Sequence, residues 1–78
     1  MFYTIKSKED YKGAKWFPLT NHGEPGETSL DNLRDDGVHC EELIKGRVIV
    51  MRTMKEAKKA LKYCENIYEM FSHKIVKI

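Results

Sequence analysis

The 78-residue sequence predicts a single small α+β domain, and three observations carry that expectation. Thr53 and Glu56 open a stretch whose apolar residues recur at helical spacing, which marks a long amphipathic helix over about 54–71. Runs rich in β-branched residues flank it, at 47–52 and 74–78, and these read as strands. Residues 2–6 alternate in the way of a half-buried strand. Together they predict a three- to four-stranded sheet with the helix packed on one face and a C-terminal β–α–β block. An acidic loop and short helix at about 20–44 form an insertion within that one domain.

Along the chain, residues 14–19 offer the first strand a hairpin partner. Pro18 has no N–H to donate, so it confines that partner to a sheet edge or a strand end. Gly23, Pro25 and Gly26 mark residues 21–27 as a loop. Thr28 or Ser29 then caps a short helix with Leu30 and Leu33 on its inner side, and Gly37 ends it. Residues 38–44 are open between strand and loop. The 47–52 segment is apolar on both faces, which predicts a strand covered on each side.

In the long helix, Thr53 and Glu56 fit a capping box, each side chain meeting the other's backbone N–H. Met54, Ala57, Leu61, Cys64, Tyr68 and Phe71 line one face, widened by Ala60 and Ile67. Ser72 and His73 connect the helix to the terminal strand. A parallel return would be right-handed, while so short a connection leaves an antiparallel one open. Ile5, Val48, Val50, Leu61, Cys64, Tyr68 and Val76 are the expected core.

Charge is sorted along the chain. Residues 20–44 hold seven acids (Glu24, Glu27, Asp31, Asp35, Asp36, Glu41, Glu42) against one base, a net of −6. Residues 45–62 hold seven bases (Lys45, Arg47, Arg52, Lys55, Lys58, Lys59, Lys62) against one acid, a net of +6. The whole-chain charge of +2 thus conceals two opposite fields, and such fields decide what a surface attracts. The helix also runs against its own dipole, with Lys55, Lys58, Lys59 and Lys62 early and Glu65 and Glu69 late. Lys55 with Lys59 and Lys58 with Lys62 are like-charge pairs four apart, each costing a few tenths of a kcal/mol.

A lysine face can simply keep a helix soluble. It can equally bind an acidic protein surface, or nucleic acid through counterion release from phosphate. The acidic segment has three readings: a solvated face, a surface docking into a basic groove, or an internal partner that neutralises the basic segment. Trp16 and Phe17 read as core, or as an anchor with the 20–27 loop as its rim.

Other chemistry lacks a signature. No apolar run approaches the ~20 residues that cross a bilayer, and no signal peptide is visible at the start, so a cytoplasmic protein is expected. Cys40 and Cys64 fit two free thiols there, or one disulfide elsewhere. His22, His39, Cys40, Cys64 and His73 show no metal-ligand spacing. Cys40 with His22 or His73 would need a meeting made by the fold, and no glycine-rich phosphate loop is present. No catalytic residue, metal or cofactor is expected.

In layout the chain resembles the small accessory proteins encoded by bacteriophages. The resemblance rests on residues 2–6, on Thr53, Glu56 and Ala57 at the helix start, and on the Lys-Ile-Val-Lys-Ile of 74–78. It implies a non-enzymatic inhibitor or adaptor that docks on a larger host protein, and it fixes no site. The expected contact surfaces are the acidic residues from Glu24 to Glu42 or the basic set Arg47, Arg52, Lys55, Lys58, Lys59 and Lys62. Nucleic-acid binding through the basic 45–62 segment is the alternative, and a free sheet edge leaves room for a homodimer.

Overall fold

Backbone pairing around the N-terminal strand organises the molecule. The computed structural model describes residues 1–21, 30–43 and 45–78. β1 (Tyr3–Glu9) is the middle of a three-stranded antiparallel sheet, between β2 (Phe17–Pro18) and β5 (Phe71–Lys77). β5 pairs along its whole length, from Tyr3 opposite Lys77 to Glu9 opposite Phe71. Pro18 lies opposite Lys6 in the edge strand, where its missing N–H breaks no inner ladder.

A second ribbon joins β3 (Glu41–Glu42) to β4 (Ile49–Val50). Main-chain bonds stitch it to the first sheet at two points. Tyr3 and Met51 exchange N–H···O bonds of 2.8 Å in each direction. Leu19 donates to Ile5 at 2.9 Å and accepts from Ile49 at 2.9 Å, so one residue bridges both sheets. The Thr4 hydroxyl adds a buried bond to the Ile49 carbonyl at 2.7 Å. Ile49, Val50 and Met51 are wholly buried, covered on both faces, but the expected 47–52 strand is shorter. Lys45–Arg47 forms a 3-10 turn with Gly46 and Arg47 at positive φ, Val48 is half-buried, and only Ile49 and Val50 form β4.

The α+β class and the helix on the sheet stand as expected. α2 (Met54–Ile67) presents Ala57, Ala60 and Cys64 to a core that also holds Ile5, Leu19, Leu33, Val38, Ile49 and Met51. Small residues at i, i+3 and i+7 bring the helix axis close to the sheet. Met54 and Ile67, expected on that stripe, are 42% and 50% exposed. Of the expected core, Ile5, Val50 and Cys64 are buried, whereas Val48, Leu61, Tyr68 and Val76 are only half-buried.

The helix ends earlier than its periodicity implies. Tyr68 caps it, donating its N–H to the Cys64 carbonyl, and Phe71 already belongs to β5. The β1 ladder reaches Phe71, Ser72 and His73 and draws them into the strand, so the connection is Tyr68 to Met70. β4 and β5, the strands either side of α2, do not pair with each other; β5 returns antiparallel to β1.

The short helix is α1 (Leu30–Asp35). Gly37 ends it as predicted, at φ 86°. Its N–H bonds to the Arg34 carbonyl at 3.0 Å, and the Val38 N–H bonds to Leu33 at 3.0 Å. That is a Schellman motif, with Leu33 and Val38 supplying its buried apolar contact. The expected Thr28 or Ser29 cap and residues 22–27 of the loop lie outside the described residues. Asn21 serves the helix start instead: its side-chain oxygen accepts from the Leu30 N–H at 3.2 Å.

Candidate functional site

The acidic and basic segments meet in the β3–β4 ribbon. Glu41 stands opposite Val50 and Glu42 opposite Ile49, so the diagonal neighbours two residues on are Arg52 and Arg47. Arg52 Nη2 lies 3.0 Å from Glu41 Oε1, and Arg47 Nε lies 3.4 Å from Glu42 Oε2. Strand alternation puts one ion pair on each side of the ribbon. Both are exposed enough that each contributes only about 0–1 kcal/mol. Glu42 also accepts from the Asn21 amide at 2.8 Å, and Arg52 lies 5.3 Å from the centre of the Phe2 ring.

The cap of α2 differs from the reciprocal box. Thr53 Oγ1 accepts from the Glu56 N–H at 3.2 Å, which is half of it. The Glu56 carboxylate reaches across the fold, accepting from the His39 backbone N–H at 2.9 Å and lying 3.4 Å from Lys59 Nζ. The His39 bond above all, helped by Lys59, holds its pKa below the ordinary 4.5. Lys59 also reaches the Gly37 carbonyl at 3.5 Å.

Of the predicted basic set, therefore, Arg47, Arg52 and Lys59 face carboxylates, while Lys55, Lys58 and Lys62 are exposed and form no ion pair among the described residues. Of the predicted acidic set, Glu41 and Glu42 are engaged. Asp31, Asp35 and Asp36 are exposed on and just after α1 without an ion pair among the described residues, and Glu24 and Glu27 lie outside them.

An open groove of about 690 Å³ separates the α1 exit from the start of α2. Arg34, His39, Cys40, Arg52, Lys55 and Glu56 line it. Arg34 is tied to the Cys40 carbonyl at 3.0 Å. Both cysteines are free thiols. Burial pushes the Cys40 thiol up, against the lowering pull of Arg34, and pushes Cys64 up to about 12. Neither holds a reactive thiolate at neutral pH. No three His, Cys, Asp or Glu side chains gather at metal-binding distance among the described residues.

Trp16 and Phe17 have separate contacts. Trp16 lies under two ammonium groups, 4.1 Å from Lys74 Nζ and 5.1 Å from Lys8 Nζ. Phe17 is 46% exposed and packs edge-on against Phe71, their centres 6.0 Å apart. Trp16 lies just before β2, and the two rings find their partners on opposite faces of the sheet, Trp16 beside Lys8 and Lys74 and Phe17 beside Phe71.

One side-chain pair was not foreseen. Ser7 and His73 stand opposite each other in the β1–β5 ladder, with Oγ 2.6 Å from Nδ1. His73 Nε2 is 3.0 Å from the Tyr68 carbonyl, which only accepts, so Nε2 carries a proton. The chain of contacts has the form of a nucleophile, a base and an orienting group. Ser7 is only 7% exposed and lines neither that groove nor the smaller one near Tyr11, and the pair joins β1, β5 and the α2 exit. Its only sequence signal is that two polar residues fall on inward-facing positions of separate strands. No helix of the described residues is long and apolar enough to cross a membrane. Compared with protein-family models, curated proteins and solved structures, the chain matches none.

Proposed function

We propose that the protein is a non-enzymatic binding module that docks on an acidic surface of a larger protein through the outer face of α2. One observation carries the reading: the acids of β3 and Glu56 are engaged with Arg47, Arg52 and Lys59, which leaves Lys55, Lys58 and Lys62 without an ion pair among the described residues. Lys55 sits in the first turn of the helix, where a cation weakens it, and Lys58 repels Lys62 four residues on, so helix stability favours neither arrangement. An acidic partner would offset that repulsion on binding. The inhibitor or adaptor role implied by the bacteriophage-like layout fits such a surface.

The test is a pull-down with the wild-type chain and with K55E/K58E/K62E, each with and without nuclease. A protein retained by the wild type in both conditions and lost by the variant is the expected result. Retention by the variant as strong as by the wild type would reject the helix face, and loss on nuclease treatment would move the ligand to nucleic acid.

A further inference from the structure

The outer face of the three-stranded sheet, opposite the helix, concentrates positive charge around the single tryptophan. Lys6 stands directly opposite Lys74 in the β1–β5 ladder, and Lys8, two residues on from Lys6, shares their face. Ile5, Ser7, His73 and Ile75 alternate with them and point to the helix side, where Ile5 lies in the core and Ile75 packs against it. None of the three lysines forms an ion pair among the described residues. Asp10, at the rim, is taken by the Ser72 hydroxyl. Lys12 and Lys15, exposed in the β1–β2 turn, extend the charge at one end.

Like charges directly opposite one another weaken a ladder, so a sheet shaped only for stability would not place Lys6 against Lys74. Trp16 draws Lys74 and Lys8 over its ring but neutralises neither, and no such contact with the ring holds Lys6. A ligand with several negative charges and flat rings fits this face best, its charges taking the ammonium groups and a ring taking their place on the indole. A peptide of Asp and Glu alone brings only the charges. A single-stranded nucleic acid brings both, with phosphates for the lysines and bases that stack on an aromatic platform. We infer that this face, distinct from the α2 lysines, binds single-stranded nucleic acid through Lys6, Lys8, Lys74 and Trp16.

Because Trp16 is the only tryptophan, its fluorescence reports on this face alone. Titration with oligothymidylate should quench it, with a salt slope of about −2 if three phosphates are contacted at about −0.7 each. By anisotropy of a labelled strand, K6Q/K8Q/K74Q should lose binding, and Trp16→Ala should weaken it about tenfold while Trp16→Phe retains most of it. Neutralising the lysines relieves their repulsion, so the variant should keep the fold, and Lys6→Gln alone, which leaves both ring contacts intact, should still lower the slope. K55E/K58E/K62E should bind the strand as the wild type does, which separates this inference from the helix-face reading. An unquenched Trp16, full binding by K6Q/K8Q/K74Q, loss only in the helix variant, or equal quenching by polyglutamate would each overturn it.

Discussion

Gly37 is where a single residue's backbone freedom governs the fold. Its φ of 86° lies in the region that a Cβ penalises, and no atom lies within 4 Å of where that Cβ would stand. The cost of Gly37→Ala is therefore conformational and not steric, about 1–2 kcal/mol. Chemical denaturation should show a lower midpoint at unchanged slope, and an unchanged midpoint would mean that the Schellman turn can be replaced. Gly37 as a helix stop was legible because the signal is local, a glycine just after Leu33, Arg34 and two aspartates. Asn21 as the partner of the Leu30 N–H was not legible, since nine residues separate them and the path of the chain brings them together.

At the scale of the element, α2 carries lysines where its dipole and like-charge neighbours disfavour them. Lys55→Glu and Lys58→Glu place acids in the first turns and turn two like-charge pairs into Glu–Lys pairs four apart, with Lys59 and Lys62. The double variant should be more stable by about 0.5–1 kcal/mol, read from thermal or urea unfolding at low salt. A gain in stability accompanied by a loss of partner binding is the signature expected of lysines kept for recognition. Equal or lower stability would show that these lysines support the helix. The start of α2 was evident from Thr53, but its end was not. Tyr68 and Phe71 continue the apolar rhythm, and the pairing of Phe71 with Glu9 overrides that rhythm.

Across the whole molecule, Glu56 ties the chain after α1 to the start of α2 through the His39 N–H. Its folded pKa is below the ordinary 4.5, so the folded state binds this proton less readily than the unfolded chain. The contact is fully present above pH 4.5 and is lost as pH falls through the lowered value. Acid unfolding should therefore be less steep for Glu56→Gln than for the wild type over that window. Coincident acid limbs would mean that this carboxylate does not couple the two segments. The same scale decides which charges remain open. The antiparallel β3–β4 register places Glu41 and Glu42 beside Arg52 and Arg47, while Lys6, Lys8 and Lys74 collect on the far side of the sheet from α2.

What the sequence by itself determined is local: the capped start of α2, the glycine stop of α1, the edge position of Pro18, the covering of Ile49 and Val50 on both faces, and the α+β class. Each depends on residues within a turn or a strand of one another, where spacing and propensity act directly. Only the tertiary structure decided that β5 pairs with β1 and not β4, that Trp16 and Phe17 part to opposite faces, that Ser7 meets His73, and which acids neutralise which bases. Those pairings close long loops, and burial and register over the whole sheet select among partners that neighbouring residues do not distinguish.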